Sequence, residues 1–165
     1  MNYHKIEKTS VANGTGIRVV LWVSGCRMNC GNCHNPETWD FNSGKPFDEK
    51  AKQELFDALG KSYIQGITFS GGHPLEKENM PDIYELIMDI RNKLPEKDIW
   101  LYTGYKFEDI ELSHRKVLEQ CDVVVDGRYI DALRDITLKW RGSKNQRVID
   151  IKKTLDEHKI VLYEE

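Results

Sequence analysis

Residues 14–35 read GTGIRVVLWVSGCRMNCGNCHN and contain the two features that decide the fold and the chemistry. The first is an apolar, β-branched run at residues 17–24 with glycines on both sides, which is typical of a buried strand. The second follows directly, where Cys26, Cys30 and Cys33 lie within eight residues. We therefore expect a strand whose carboxyl end carries a group of thiols.

The same order of strand, glycine and helix recurs along the rest of the chain. Strands are predicted at residues 17–24, 66–70, 98–103 and 122–127, with a short edge strand at 160–163. Helices are predicted at residues 48–59, 83–94 and 107–118, with a short one after residue 149. Because strands alternate with helices, we expect βαβ crossovers, a parallel sheet and the fold class α/β.

The length limits how such a sheet can close. A complete eight-fold barrel takes about 250 residues, whereas this chain has 165. We expect one domain over residues 1–165, folded as an open, incomplete (βα) barrel whose open side admits a large partner. Chemistry in such sheets lies at the carboxyl ends of the strands. The loops at those ends are the cysteine loop (residues 25–35), the glycine turn (residues 70–74), residues 103–104 and residues 126–127.

Composition and charge exclude several classes of protein. The 24 Lys and Arg residues against 27 Asp and Glu give a formal net charge of -3, which does not favour nucleic acid or anionic lipid as a partner. The longest apolar run, residues 19–23, is far shorter than the roughly 20 residues that cross a bilayer. Residues 1–8 lack the apolar core of a secretory signal. We expect a cytoplasmic enzyme or binding domain whose cysteines are free thiols.

The cysteine spacing by itself is compatible with two kinds of metal site. Three thiolates can hold three irons of a cluster and leave the fourth iron without a protein ligand. The alternative is a structural zinc site, which needs four protein ligands in a tetrahedral arrangement, and His34 would then have to serve beside Cys33. Cys121 precedes an apolar strand and is interpreted as a small buried hydrophobic residue.

The three-then-two cysteine spacing resembles the signature of the radical S-adenosylmethionine enzymes. A longer pattern resembles the members that install glycyl radicals on other enzymes. Its positions here are residues 14–18 (GTGIR), Trp22, Gly25, the three cysteines and Asn35. Downstream, residues 126–129 (DGRY) and 138–150 (LKWRGSKNQRVID) are similar to the activating proteins of anaerobic ribonucleoside-triphosphate reductase. The resemblance therefore covers most of the chain.

The resemblance implies a 4Fe-4S cluster held by Cys26, Cys30 and Cys33, with the free iron chelated by S-adenosyl-L-methionine. One electron would cleave the sulfonium to methionine and a 5'-deoxyadenosyl radical, which takes a hydrogen from a glycine of the reductase large subunit. This chemistry belongs to the cofactor, so no catalytic side chain is assigned. A low-potential electron donor such as flavodoxin is also implied.

The resemblance further implies which residues border S-adenosylmethionine. They are Asn32, Cys33 and His34 in the cysteine loop, and Gly71, Gly72 and His73 in the glycine turn. In the family the position of His73 is acidic and meets the methionine amino group, so a neutral imidazole would have to accept that hydrogen bond here. Asn32 stands where many relatives carry an aromatic residue over the adenine. From the residues alone, the glycine pair is equally a plain turn and His34 a surface histidine.

Other functions also fit the sequence. The chain could activate a different glycyl-radical enzyme, act on a small molecule as a deazapurine synthase does, or be a non-catalytic zinc- or iron-binding module. Residues 128–147 form the one basic stretch, and we expect a functional role there only for Arg141 and Arg147. Trp140 lies between charged neighbours and is interpreted as a packing residue.

Overall fold

A single seven-stranded sheet carries the fold in the computed structural model, which describes all 165 residues. The strands are β1 (Asn2–Ser10), β2 (Arg18–Val23), β3 (Lys45–Pro46), β4 (Gly66–Gly71), β5 (Asp98–Tyr102), β6 (Val123–Asp126) and β7 (Arg147–Asp150). The α-helices are α1 (Glu49–Leu59), α2 (Met80–Lys93), α3 (Leu112–Leu118) and α4 (Ile151–Glu157). Short 3-10 helices lie at Pro36–Thr38, Phe107–Asp109 and Asp131–Leu133. The strand order is β3-β1-β2-β4-β5-β6-β7.

The centre of the sheet is parallel, as the alternation of strands and helices predicts. β2, β4, β5 and β6 pair in parallel, and each matches a predicted apolar run. The α/β class is therefore confirmed. The edges differ, because β1 pairs antiparallel with β2 and β7 pairs antiparallel with β6. The expectation of a parallel sheet is wrong at these edges, where the connections at residues 11–17 and 127–146 contain no α-helix and the next strand runs antiparallel to its neighbour.

The helices follow their sequence signals to different degrees. α1 begins where predicted, since the Asp48 side chain caps it by accepting a hydrogen bond from the Ala51 N–H at 2.9 Å. The third helix is shorter than expected, because the backbone of Ile110 is extended and separates a 3-10 turn from α3. The predicted edge strand near the end is reduced to a bridge between Leu162 and Ile149. No helix combines the length and apolar character needed to cross a membrane.

The two faces of the sheet are covered by different parts of the chain. A core of 26 buried residues joins one face to all four helices. Successive side chains of a strand point to opposite faces, so Leu101 of β5 enters this core, whereas Trp100 belongs to a smaller cluster on the other face. Trp140 and Tyr163 pack against that smaller cluster. The second face, here called the inner face, is therefore free of helices.

A buried arginine closes the amino-terminal end of the inner face. Arg18 is fully buried, and its guanidinium donates to the Thr68 hydroxyl at 2.9 Å and the Thr15 carbonyl at 3.0 Å. It also pairs with Asp98. Gly14 has a φ of +136°, and a Cβ there would lie 2.7 Å from the Arg18 side chain. The GTGIR stretch thus packs its glycine loop on a buried cation, at the end of the strands opposite to the cysteines.

Candidate metal and cofactor site

A cavity of about 490 Å³ opens on the inner face at the carboxyl ends of the parallel strands. Its lining includes Cys26, Cys30, Cys33, His34, Asn35, Ser70, Gly71, Gly72, His73, Thr103, Gly104 and Gly127. Each of the four strand-end loops identified in the sequence contributes to this lining. The prediction that these loops share one face of the sheet is confirmed.

The cysteine loop is held in shape by its main chain. Gly25 N–H donates to the Thr38 carbonyl at 2.7 Å and Cys26 N–H to the Trp39 carbonyl at 3.1 Å, so the loop is fastened where it leaves β2. Asn29 and Asn32 adopt left-handed φ values of 49° and 54°, a conformation that asparagine tolerates better than most residues. These bends turn the loop back so that its three thiols line one cavity.

The three thiols are free, and their chemistry suits a cluster of irons. Thiolates are soft ligands that favour iron–sulfur clusters and zinc. Burial raises the pKa of the Cys26 thiol, and the nearby Glu76 carboxylate raises it further. No group of three or more His, Cys, Asp or Glu side chains is arranged to hold a single metal ion. In a cubane cluster each thiolate binds its own iron, so three thiols spread along the wall of one cavity fit that group.

The fourth cysteine lies outside the site. Cys121 belongs to the core between the sheet and the helices, and its thiol contacts the Val117 carbonyl at 3.6 Å. Burial raises its pKa to about 12. The interpretation of Cys121 as a small buried hydrophobic residue is confirmed, and the cavity is lined by three cysteines.

The glycine turn packs directly on the base of the cysteine loop. Gly72 N–H donates to the Val23 carbonyl and His73 N–H to the Gly25 carbonyl, both at 2.8 Å. A Cβ on Gly72 would lie 2.7 Å from the Gly25 carbonyl oxygen, and Gly71 has a φ of +106°. The two glycines are therefore required by a close approach between two main chains, which a plain surface turn would not impose.

His73 is buried with both ring nitrogens facing protein groups. Its Nε2 lies 2.8 Å from the Thr103 hydroxyl and accepts a hydrogen bond from Gly104 N–H at 3.3 Å. The hydrogen-bond network thus assigns the proton of the neutral ring to Nδ1, which faces the Glu76 carboxylate at 3.9 Å. In this arrangement neither nitrogen has a free lone pair to accept a hydrogen bond from an amino group. The ring contributes to the cavity wall through its carbon atoms and packs against Tyr105.

Glu76 is a buried carboxylate that the sequence gave no reason to single out. Its side chain is 5% exposed, and it accepts a hydrogen bond from the main-chain N–H of Arg27. Burial by itself opposes ionisation, but the neighbouring His73 ring, the hydrogen bond from Arg27 N–H and the positive charge of Arg27 outweigh it and lower the pKa of Glu76. The only sequence signal is a glutamate three positions after His73, in a polar segment that resembles an ordinary turn.

The remaining predicted cofactor residues are placed differently from one another. His34 lines the cavity and packs edge-on against Tyr129, with ring centroids 5.0 Å apart. Asn32 points away from the cavity wall, since its amide donates to Asp131 at 2.9 Å on the exposed side of the loop. Asn32 is thus the one predicted cofactor residue that does not line the cavity. Tyr129 also lines the cavity, although the sequence identified it only as part of the DGRY stretch at residues 126–129.

The basic stretch contributes one arginine to the cavity. Arg141 lines it, with its guanidinium held by the main-chain carbonyls of Lys144 and Gln146. Arg147 instead pairs with the fully buried Asp126 and with Glu108, so it acts within the framework of the protein.

Trp140 has the packing role that its sequence context suggested. It packs edge-on against Trp100 with ring centroids 5.1 Å apart, and it forms part of the cavity wall.

Comparison with known proteins identifies similar chains. Residues 12–149 match the family model described as a 4Fe-4S single cluster domain. The anaerobic ribonucleoside-triphosphate reductase-activating protein of Escherichia coli K12 is 43% identical over 150 residues, which cover 90% of this chain and 97% of that protein. The protein of the same name from Enterobacteria phage T4 is 46% identical over 148 residues, which cover 90% and 93%. The one from Haemophilus influenzae is 39% identical over 148 residues, which cover 88% and 96%.

Proposed function

Because the chain belongs to the family of anaerobic ribonucleoside-triphosphate reductase-activating proteins, we propose that it activates anaerobic ribonucleotide reductase by generating a glycyl radical on the reductase large subunit. It is a 4Fe-4S enzyme that uses S-adenosyl-L-methionine. The observation that carries the proposal is the meeting of three free thiols and a glycine turn in one cavity, within the residues that match the family model.

In this proposal Cys26, Cys30 and Cys33 bind three irons of the cluster and leave the fourth open to S-adenosylmethionine. When bound, the cluster supplies the electron that cleaves the sulfonium and so yields the radical that takes a hydrogen atom from a glycine of the reductase. No side chain of this protein needs to move a proton. Its residues hold the reactants together and keep the site dry.

The residues of the cavity wall are consistent with a protein that holds the reactants while the cofactor supplies the radical chemistry. Gly71 and Gly72 bring the main chain of the turn against the cysteine loop without side chains between them. The rings of Trp22, Tyr102 and Trp140 line the inner-face side of the cavity, where they would limit the access of water. Radical chemistry benefits from such exclusion, because it prevents side reactions of a reactive intermediate. His34 and Gly71 to His73 border the bound S-adenosylmethionine.

The partner must reach this cavity through the side of the sheet that the helices leave free. We interpret the sheet as an open, incomplete (βα) barrel, and residues 1–165 as one radical S-adenosylmethionine domain. The four parallel strands, the cavity at their carboxyl ends and one core shared by all four helices support this interpretation. The glycine-bearing segment of the reductase would enter at the open side.

The proposed chemistry also implies an electron donor and a reducing compartment. A low-potential donor such as flavodoxin would reduce the cluster, because cleavage of a sulfonium needs a strong reductant. We place the protein in the cytoplasm, where the four free thiols of the chain stay reduced.

The test is an anaerobic activation assay with a matched cysteine control. The reconstituted protein is mixed with reductant, S-adenosylmethionine and the reductase large subunit, and electron paramagnetic resonance is used to detect a glycyl doublet. We expect the doublet with the wild type and with Cys121→Ala, and its loss in Cys26→Ala, Cys30→Ala and Cys33→Ala. An intact cluster that cleaves S-adenosylmethionine but gives no doublet would refute this choice of partner. One tightly bound zinc and no cleavage would refute the enzyme altogether.

A further inference from the structure

A carboxylate links two of the loops that form the cavity, the cysteine loop and the glycine turn, yet it lies behind the cavity wall. Glu76 does not line the cavity, and only 4% of its surface is exposed. Its Oε2 accepts a hydrogen bond at 2.5 Å from the main-chain N–H of Arg27, which directly follows Cys26 near the start of the cysteine loop. A buried carboxylate that receives a main-chain N–H stabilises the conformation in which that N–H points toward it, because the carboxylate has no water as an alternative partner.

The same carboxylate faces the glycine turn. Nδ1 of His73 carries the proton in the assigned tautomer and lies 3.9 Å from the Glu76 carboxylate, a separation that is too long for a hydrogen bond but that points the N–H dipole at the carboxylate. At its other nitrogen the His73 ring is held by Thr103 and Gly104, which follow β5. One carboxylate therefore connects the cysteine loop, the glycine turn and the loop after β5.

We propose that Glu76 is a positioning residue for the iron–sulfur cluster, which holds the cysteine loop in its ligating shape through the main-chain N–H of Arg27. The inference rests on the proposed function, because it assigns a role toward the cluster of that site. Removing a group that orients a metal ligand without itself binding the metal lowers metal affinity or activity by about 10–100-fold. Glu76 would belong to this class although it touches no cysteine thiol.

The Arg27 side chain offers a control, because its guanidinium pairs with Glu76 Oε1 at 3.3 Å and with Glu78, whereas the anchor of the loop is the main-chain N–H. Its guanidinium pairs with Glu78 at 2.7 and 2.8 Å on the exposed surface. The substitution Glu78→Gln removes a carboxylate from the same arginine without touching the main-chain hydrogen bond. Arg27→Ala removes the guanidinium and keeps the N–H that Glu76 holds. Glu78→Gln removes only the surface ion pair and Arg27→Ala removes both ion pairs of the guanidinium, so the two variants together separate the side-chain ion pairs from the main-chain anchor.

The experiment compares four variants, Glu76→Ala, Glu76→Gln, Arg27→Ala and Glu78→Gln, with the wild type. Each is reconstituted with iron and sulfide without oxygen, and the release of iron to a chelator and the reduction potential of the cluster are measured. We expect release at least about tenfold faster in Glu76→Ala. In Glu76→Gln we expect an intermediate rate, because the amide oxygen can still accept from Arg27 N–H. The potential should rise in both Glu76 variants, since removal of a nearby negative charge favours the added electron.

Arg27→Ala and Glu78→Gln should release iron within about twofold of the wild-type rate. Thermal unfolding of the iron-free proteins shows which variants fold. If Glu76→Ala does not fold, the inference is tested by the rate of iron release and the cluster potential of Glu76→Gln. Wild-type rates and potentials in the folded Glu76 variants would overturn the inference, as would iron release in Arg27→Ala as fast as in Glu76→Ala. The proposed function fails by a separate result, in which the wild-type protein takes up no cluster or forms no glycyl doublet.

Discussion

The close approach of the glycine turn to the cysteine loop can be tested by adding one methyl group. In Gly72→Ala the new Cβ would lie 2.7 Å from the carbonyl oxygen of Gly25 and 2.9 Å from that of Thr38. Both atoms belong to main chain that is fixed by hydrogen bonds, so they cannot turn aside as a flexible side chain would. Overpacking of this kind costs about 1–3 kcal/mol. For a chain of this length that corresponds to a melting temperature lower by roughly 2–12 °C.

Gly31→Ala is the matched control, because Gly31 lies in the cysteine loop against which Gly72 packs, but a Cβ on it meets no atom within 4 Å. We expect its free energy of unfolding to stay within about 0.5 kcal/mol of the wild type. Thermal and urea unfolding of the iron-free proteins measure both effects, and reconstitution shows whether Gly72→Ala also binds less iron. The reasoning would be refuted by equal melting temperatures for Gly72→Ala and the wild type, or by an equal loss in Gly31→Ala.

Three further outcomes are expected from other parts of the molecule. Asp126→Asn leaves Arg147 without its buried partner, so urea unfolding should show a loss of about 1.5–3 kcal/mol; an unchanged midpoint would contradict the assigned pairing. Asp122 has its pKa lowered because the Ile99 N–H and nearby cations outweigh the effect of burial. A lowered carboxyl pKa stabilises the folded state above the usual value near 3.8, and this contribution is lost as the pH falls through the folded pKa. The acid slope of stability should therefore flatten in Asp122→Asn between about pH 2 and 5, and an unchanged slope would count against this assignment. In the iron-free protein at pH 8, a thiol reagent followed by mass spectrometry should modify Cys33 while Cys121 stays protected until the chain unfolds; rapid labelling of Cys121 in the folded protein would show that its burial is wrong.

The central strands could be predicted because their signal is local. β2, β4, β5 and β6 are short apolar runs that end near a glycine, and a strand buried on both faces needs no other pattern. β1 reads NYHKIEKTS and is partly exposed along its length, so its sequence contains no apolar run to identify it. Its place in the sheet depends on pairing with β2, which is a tertiary contact.

The residues of the candidate site also differ in whether a local sequence signal or a tertiary contact defines their role. The cysteines and glycines could be found because they follow predicted strands directly, and topology brings those strand ends together. Glu76 could not, since its burial and its contact with Arg27 join positions 49 residues apart. Arg147 carried a functional expectation, but the register of β6 with β7 places it opposite Asp126, and sequence alone does not reveal that register.

The fastening of the cysteine loop by main-chain hydrogen bonds has a consequence for how iron is acquired. Thr38 and Trp39 hold the start of the loop, and these bonds involve only protein groups. Many small metal proteins fold only as they capture their metal. Here the bonds that fasten the start of the loop join protein groups only, so the anchoring of the loop depends on the fold of the chain and not on iron.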